Sequence, residues 1–170
     1  MQRRTIGSLT VTVVGLGTNN FGMGMPADGV PPVVAAALDA GVDLFDTSDS
    51  YGESEERLGT ALGRHRDDVL IATKFGSPVK GEEGTGGARP DYVRQALDAS
   101  LRRLGTDRID LDQLHRPDPT TPIADTLGAL AEAVHAGKVR EIGCSNFSAE
   151  QLREADTAAG SGTRFVSVQN

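Results

Sequence analysis

Short β-branched runs alternate with segments of helical periodicity along most of this chain, and this alternation limits its fold more than any other feature. The six runs are "VTVVGLG", "VDLFD", "VLIAT", "RIDLDQLH", "VREIGCS" and "FVSVQ". Such runs predict strands, and the apolar residues spaced three and four apart between them predict helices. Repeated strand and helix units form a parallel sheet covered by helices. The sequence therefore predicts either an open doubly wound sheet or a closed barrel.

Several of the intervening segments carry helix signals. In "RPDYVRQALDASLRRLG", Pro90 suits the first helical turn and Gly105 the C-terminal stop, with an apolar face between them. The segment "TTPIADTLGALAEAVHAG" repeats this scheme. A further helix is predicted at "SAEQL", where Ser148 and Gln151 have the spacing of a capping box. Residues 76–90 form the one long glycine-rich loop.

Polar residues stand at the C-terminal ends of most predicted strands. They are Asp46, Lys74, His115, Ser145, Asn146, Gln169 and Asn170. In an open sheet, ligands collect at one switch point, whereas a (β/α)8 barrel brings the ends of many strands to one mouth. The distribution of these residues therefore favours a barrel of the TIM type.

The segment "DLFDTSDSYGESEERLG" leaves a predicted strand and enters a predicted helix. Gly52 is suited to the turn, and Ser54 and Glu55 are suited to the cap of the helix. Asp46 and Tyr51 are needed for neither, so they are the first candidates for chemistry.

The composition limits the classes of partner. A chain of 170 residues with 38% apolar content can bury one core, so we expect a single domain over residues 1–170. Its 17 basic and 24 acidic residues form no long runs, which disfavours nucleic acid and membrane surfaces and favours a small-molecule partner. Cys144 is the only cysteine, and the sequence shows neither a signal peptide nor a long apolar segment. We therefore expect a cytoplasmic protein.

Five segments, taken in order, resemble the aldo-keto reductase family. They are "FDTSDSYGESEERLG", "IATKFG", "LDQLHRPDP", "GKVREIGCSNFS" and "VSVQN". Members of this family are (β/α)8 barrels that bind NADPH and reduce aldehydes and ketones. The resemblance thus implies a barrel, NADPH/NADP+ as the cofactor and a small carbonyl compound as the substrate. The preceding "MQRRTIGSLTV" resembles the N-terminal β-hairpin that closes the bottom of such barrels.

The resemblance also implies which residues form the site. The catalytic tetrad of the family corresponds to Asp46, Tyr51, Lys74 and His115. The family's contacts to the nicotinamide carboxamide correspond to Ser145, Asn146 and Gln169. The remaining residues near the cofactor are Gly17, Thr18 and again Asp46.

Carbonyl reduction requires side chains of these types. Hydride addition builds negative charge on the carbonyl oxygen, so a proton donor must lie beside it, and Tyr51 can fill that role. Lys74 is a cation that favours the phenolate, while Asp46 pairs with the lysine. His115 can donate a hydrogen bond that fixes the angle of the carbonyl group. The hydride itself must come from the nicotinamide.

Structural roles compete with these catalytic roles. Taken alone, Asp46 suits a turn, Tyr51 suits half-buried packing and Lys74 suits a solvated strand end. Their joint placement at separate strand ends favours catalysis. His65 and His135 stand by helix ends without the spacing of metal ligands, so we expect no metal.

Two motifs suggest other classes of enzyme, but the residues around each motif do not match those classes. A triad of Ser145, His115 and Asp46 lacks the G-x-S-x-G elbow of a hydrolase. The segment "GLGTNNFGMG" has Asn20 where a dinucleotide fingerprint requires its third glycine, and no helix is predicted directly after it. Cys144 stands inside an apolar run and is predicted to be a core residue.

The number of strand signals falls short of a complete barrel. The sequence carries six signals, whereas a closed barrel of this type has eight strands. We therefore expect about six βα units, with the C-terminal part of the barrel missing and open sheet edges that favour self-association. Three hypotheses stay open. The first is an NADPH-dependent carbonyl reductase with Tyr51 as proton donor, and the second is a truncated, non-catalytic reductase-like subunit that binds or regulates. The third is a misfolded or inert remnant, which a folding measurement separates from the first.

Overall fold

An antiparallel hairpin opens the computed structural model, which describes residues 1–170. Its strands are β1 (Arg3–Ile6) and β2 (Leu9–Thr12). Leu9 and Val11 of the hairpin are buried against Ala72 and Leu111 of the main sheet, so the hairpin covers part of one face of that sheet. The hairpin implied by the resemblance is therefore confirmed.

A parallel sheet of six strands forms the centre of the fold. Its strands are β3 (Leu16–Gly17), β4 (Leu44–Asp46), β5 (Leu70–Phe75), β6 (Ile109–Leu114), β7 (Val139–Ser145) and β8 (Val168–Gln169). The strands lie side by side in chain order, and every neighbouring pair is parallel. A doubly wound sheet would instead reverse its order at a switch point. The topology confirms the barrel class, with six parallel strands in this chain.

Six α-helices connect the strands. They are α1 (Asn19–Met23), α2 (Val30–Asp39), α3 (Ser54–Leu62), α4 (Pro90–Leu104), α5 (Ile123–His135) and α6 (Ala149–Ala159). The helices predicted in residues 89–105, in residues 120–137 and at "SAEQL" are confirmed. Gly105 ends α4 with a φ of 64°, and Ser148 forms the predicted capping box with Gln151 at the start of α6. The glycine-rich segment 76–89 contains neither helix nor strand.

Alternate residues of the central strands face opposite sides of the sheet. Ile71 and Phe75 pack into the larger apolar cluster between the sheet and the helices. Ala72 and Leu111 face the hairpin on the other side. Because side chains alternate along a strand, Lys74 lies on the same side as Ala72, which is the inner side of the barrel wall. The fold thereby places this lysine where a barrel holds its active site.

The first predicted strand run is divided in the structure. Val11 and Thr12 of "VTVVGLG" end the hairpin, and only Leu16 and Gly17 pair in the parallel sheet. The Thr12 backbone N–H donates to Asp43 Oδ1 at 2.8 Å, where the hairpin ends. The expectation that no helix follows this run was also wrong, because the short helix α1 begins two residues after β3.

Ser54 and Glu55 do not cap α3, so that prediction was wrong. Ser54 Oγ donates to the carbonyl oxygen of Thr18 at 2.8 Å, and the helix start has no side-chain cap. Glu55 is fully buried and accepts hydrogen bonds from Arg103 Nε at 2.7 Å and Thr73 Oγ1 at 2.6 Å. Both side chains turn inward, where partners on neighbouring elements supply the hydrogen bonds that buried polar and charged groups require.

Two expectations drawn from the composition can be compared with the structure. Cys144 is fully buried in β7, and burial raises the pKa of its thiol to about 12, which confirms a core residue. None of the helices is long and apolar enough to cross a lipid bilayer.

We expect residues 1–170 on their own to self-associate. The outer strands β3 and β8 each pair on one side only, and Val13, Val14 and Val168 nearby are exposed. Light scattering after size exclusion should show a mass that rises with protein concentration. Val168→Lys should reduce this association, because a charged side chain on an edge strand opposes pairing. A wild-type chain that stays monomeric at every concentration would contradict the expectation.

Candidate active site

The C-terminal ends of β4, β5 and β6 bring the four predicted tetrad residues to one mouth of the sheet. Asp46 is the last residue of β4, and Tyr51 lies in the loop that follows it. Lys74 lies near the end of β5, and His115 directly follows β6. Residues separated by up to 69 positions in the sequence therefore share one site, because parallel strands in chain order end on one side.

Lys74 is the most deeply buried of these residues. Its side chain is 2% exposed, and its Nζ donates to Asp46 Oδ2 at 2.6 Å and to the Thr47 carbonyl oxygen at 2.9 Å. The Tyr51 ring centroid lies 5.2 Å from the same Nζ. An ammonium group has three N–H donors, so these two hydrogen bonds leave one donor free.

Asp46 receives further hydrogen bonds from amide side chains. Gln113 Nε2 donates to Asp46 Oδ1 at 3.3 Å, and Gln169 Nε2 approaches Oδ2 at 3.5 Å. Gln113 pairs in register with Lys74 across β5 and β6. Gln113 belongs to no motif that assigns it a function, but its two-residue spacing from Leu111 indicates the inner side of the wall.

Tyr51 and His115 meet edge to face. Their ring centroids are 5.8 Å apart, and the ring planes make an angle of 84°. On the other side of the imidazole, His115 Nδ1 lies 3.1 Å from Ser48 Oγ and 3.5 Å from Ser50 Oγ. With Nδ1 turned toward the serines, Nε2 is the ring nitrogen left for a ligand.

His115 is uncharged at neutral pH in this environment. Burial lowers the pKa of its imidazole to about 4, and the positive charges of Lys74 and Arg116 add to this effect against the opposing charge of Asp46. A neutral imidazole carries one N–H, so His115 can donate one hydrogen bond and accept another.

Ser145, Asn146 and Gln169 meet at the ends of β7 and β8. Ser145 Oγ donates to the carbonyl oxygen of Gln169 at 2.6 Å. Asn146 Nδ2 donates to the carbonyl oxygen of His115 at 2.9 Å and to Ser145 Oγ at 3.1 Å. The φ of Asn146 is 60°, in the left-handed region that residues other than glycine rarely adopt. This strained backbone directs an amide side chain toward the mouth of the site.

Gly17 and Thr18 occupy different environments. Thr18 is fully buried, and its N–H and hydroxyl both donate to the carbonyl oxygen of Asp46, at 2.9 and 3.0 Å. Thr18 therefore fixes the backbone that carries the aspartate. A Cβ added to Gly17 would meet no atom within 4 Å, so open space lies before this residue. Contacts of either residue with a cofactor stay predictions.

Gly22 in α1 touches the backbone of the loop that holds Tyr51. A Cβ on Gly22 would lie 1.8 Å from the carbonyl oxygen of Tyr51. No side chain fits in that gap, so glycine is required for the close approach of α1 to this loop. Sequence reasoning treated Gly22 only as part of a failed motif.

Buried carboxyl groups lie behind the loop, and sequence reasoning missed them. Burial, together with the nearby Glu55 charge, raises the pKa of Asp49 to about 7. Burial likewise raises the pKa of Asp112 to about 8, and no group donates to its buried Oδ2. Tyr92 OH donates to Asp49 Oδ2 at 3.4 Å. These groups hold protons at a pH where exposed carboxyl groups are ionised.

A groove of about 780 Å³ borders His115 through its neighbours Leu114 and Arg116. Asn146 and Phe147 contribute to its opposite wall. His115 itself does not line the groove, which extends between α5 and α6 through Thr126 and Gln151. No group of three His, Cys, Asp or Glu side chains in the structure could hold a metal ion.

Comparison with known proteins gives a match over nearly the whole chain. The model of a family described as "Aldo/keto reductase family" matches residues 13–170. The chain is 40% identical over 163 residues to "Aldo-keto reductase str7" of Strobilurus tenacellus, covering 89% of this chain and 47% of the relative.

Two other relatives show similar identity. "Aldo-keto reductase YhdN" of Bacillus subtilis is 43% identical over 123 residues, which are 70% of this chain and 37% of that protein. "Aldo-keto reductase yakc [NADP(+)]" of Schizosaccharomyces pombe is 41% identical over 167 residues, which are 89% of this chain and 47% of that protein. The chain thus spans about half the length of these relatives, or less.

Proposed function

Because this chain belongs to the aldo/keto reductase family, we propose that it acts as an NADPH-dependent oxidoreductase that reduces aldehydes or ketones to alcohols. The observation that carries the proposal is the convergence of Asp46, Tyr51, Lys74 and His115 at one mouth of the sheet. A subunit that only binds or regulates has no need of a buried lysine beside a tyrosine and a neutral histidine. The arrangement therefore favours catalysis over that alternative.

The residues at the ends of β7 and β8 fit a nicotinamide cofactor. A carboxamide group needs both donors and acceptors, and Ser145, Asn146 and Gln169 offer both within one corner. The hydrogen bonds of Asn146 use its Nδ2, which leaves Oδ1 to accept from an amide N–H. The open space before Gly17 leaves room for a ligand at the neighbouring side of the mouth. When bound, the nicotinamide supplies the hydride.

Each residue of the tetrad has a separate task in this proposal. Tyr51 gives its phenolic proton to the carbonyl oxygen as negative charge develops there. Lys74, held in place by Asp46, directs its free N–H and its positive charge toward the phenolate that results. His115 donates a hydrogen bond to the carbonyl oxygen and fixes its orientation.

The preference for NADPH and the cellular location are also proposals. NADPH is supported by the relative whose name carries NADP(+). The single buried cysteine, held as a thiol, suits a reducing compartment, so we propose a cytoplasmic location. We further propose that residues 1–170 provide the catalytic mouth and the nicotinamide corner of a single aldo-keto reductase domain, of which the C-terminal βα units lie outside these residues. Many of the residues that bind the cofactor phosphates would then also lie outside residues 1–170.

A titration with two cofactors tests this assignment. We expect residues 1–170 to bind NADPH weakly, and no more than about tenfold more tightly than reduced nicotinamide mononucleotide, because most charge-assisted phosphate contacts lie elsewhere. At high NADPH, carbonyl-dependent oxidation of the cofactor should be measurable by absorbance and lost in Lys74→Met. Cofactor binding without any carbonyl-dependent oxidation would favour the non-catalytic subunit.

Asn146 allows the alignment of the nicotinamide to be tested separately. Asn146→Gly keeps the left-handed backbone and removes only the side chain, whereas Asn146→Ala also adds strain. We expect Asn146→Gly to lower the rate of hydride transfer by about tenfold to a hundredfold, with a smaller loss of affinity. Deuterated NADPH measures which face transfers its hydride. An Asn146→Gly variant with unchanged rate and stereochemistry would contradict the role.

A further inference from the structure

Ser48 lies between a buried carboxyl group and the imidazole of the site. Its Oγ is 3.2 Å from Asp49 Oδ1 and 3.1 Å from His115 Nδ1. Ser48 is fully buried, and Asp49 is 3% exposed. Because a hydroxyl group has one proton, Ser48 cannot donate to the carboxyl group and to the imidazole at the same time.

The direction of these two hydrogen bonds decides which nitrogen of His115 carries its proton. When Ser48 donates to Nδ1, the neutral imidazole carries its proton on Nε2 and can donate to a carbonyl oxygen. When Ser48 donates to Asp49, it accepts from Nδ1–H, and Nε2 becomes an acceptor. Only the first tautomer can perform the task proposed for His115.

We propose that Asp49 is a positioning residue that selects the tautomer of His115 through Ser48. Protonated Asp49 donates to Ser48 Oγ, Ser48 donates to His115 Nδ1, and Nε2–H points to the ligand side. Ionised Asp49 reverses both bonds. The role in reduction rests on the proposed function, whereas the coupling between the three groups does not.

The groups around Asp49 favour its protonated form. The charged or titratable groups near it come from three elements, namely Glu55 of α3, Asp112 of β6, and Tyr92 and Arg103 of α4. The single guanidinium faces more than one carboxyl group, and it bonds directly to Glu55. Burial and the Glu55 charge together raise the pKa of Asp49 to about 7, so its proton is exchanged near neutral pH.

His115 itself stays neutral while Asp49 titrates. The charged and titratable groups that face it are Lys74, Asp46, Arg116 and Tyr51. Its pKa is lowered to about 4. Between about pH 5 and about pH 9, a change at the imidazole is therefore a change of tautomer, because the ring charge does not change.

Two neighbouring groups compete for the Ser48 proton, but the tautomer of His115 still depends on the protonation of Asp49. The carbonyl oxygen of Lys74 lies 3.3 Å from Ser48 Oγ, and Ser50 Oγ lies 3.0 Å away. Neither is ionised or protonated near neutral pH, so neither changes strength as an acceptor over this range. Asp49 is the one partner of Ser48 that gains or loses a proton over this range, so it sets the direction of the hydrogen bond from Ser48 to His115.

Nitrogen-15 NMR of the histidine-labelled chain tests the proposal without any turnover. The chain has three histidines, and His115→Gln identifies the signals of His115. We expect the protonated nitrogen of His115 to change from Nε2 to Nδ1 with a midpoint near pH 7. Asp49→Asn should hold the Nε2–H tautomer across the range, because its amide Nδ2 always donates to Ser48 while its oxygen accepts from Tyr92.

Ser48→Ala provides the second variant. It removes the connecting hydroxyl, so the tautomer of His115 should no longer change with pH even though Asp49 is present. A wild-type chain without a tautomer change near neutral pH would overturn the proposal, as would a change that persists unaltered in Ser48→Ala. The wild-type titration decides the matter even if a variant fails to fold. If the tautomer changes as expected but no carbonyl is reduced, only the proposed function is contradicted.

Discussion

Tyr51→Phe is expected to lower the rate of carbonyl reduction by about 10²- to 10⁴-fold, with little change in cofactor affinity. The phenol is proposed to act only as charge develops on the carbonyl oxygen, so its loss affects the transition state and leaves the bound ground state nearly unchanged. The Phe ring keeps the edge-to-face contact with His115 and the position beside Lys74. Single-turnover oxidation of NADPH and a separate binding titration measure the two quantities.

Lys74→Met provides the companion variant, with Lys138→Met as its matched control. Lys74 is 2% exposed and lies beside the tyrosine, so its loss should also lower turnover strongly. Lys138 directly precedes β7, at the end of that strand opposite the mouth, and forms an exposed ion pair with Asp98. Its replacement should leave the rate nearly unchanged. Turnover by Tyr51→Phe close to that of the wild type would remove Tyr51 from the mechanism.

Asp112→Asn is expected to stabilise the protein at alkaline pH. Burial raises the pKa of Asp112 to about 8, whereas an unfolded aspartate titrates near 3.9. Between these values the folded state holds a proton that the unfolded state has released, so the free energy of unfolding falls as pH rises, until the folded pKa is passed. For a shift of this size the fall between about pH 5 and about pH 9 is on the order of 3 to 5 kcal/mol.

The Asn side chain has no proton to lose, so the stability of the variant should fall less over this range, and the fall that remains comes from Asp49, whose pKa is raised to about 7. Urea unfolding at a fixed chain concentration, at several pH values, measures the effect. Asp98→Asn is the control, because this exposed carboxyl group pairs with Lys138 at the surface and should contribute less than about 1 kcal/mol. Wild-type stability that rises from pH 5 to pH 9 would contradict the expectation.

The strands and the tetrad could be predicted from the sequence because their signals are local. The end of a strand can be read from the sequence where an apolar run is followed by a polar residue. Asp46, Lys74 and His115 occupy such positions. Once the strands are parallel and in chain order, those residues must share one side of the sheet. Periodicity thus predicted that Asp46, Lys74 and His115 would share one side of the sheet, and the family resemblance added Tyr51 of the following loop.

The buried acidic groups could not be predicted in the same way. Glu55 finds Arg103 48 residues away, and Asp110 Oδ2 accepts from Arg66 44 residues away. An isolated Glu or Asp in a helix or strand is normally exposed, and nothing in its immediate neighbourhood indicates otherwise. Ser54 was assigned to a helix cap for this reason, since its real partner Thr18 belongs to another βα unit. Such contacts depend on which helix lies over which strand.

The contact between Gly22 and the Tyr51 loop bears on how the protein can be redesigned. A library that varies the mouth would naturally include α1, because its residues border the site, yet any side chain at Gly22 pushes the loop that carries the phenol. Residues 80–84 offer the opposite situation, because Gly81 and Gly84 face open space. A library for new ligand contacts should therefore vary the other side chains of this segment and keep its glycines. Helix α1 should be left unchanged, because its contact at Gly22 positions the loop that carries Tyr51.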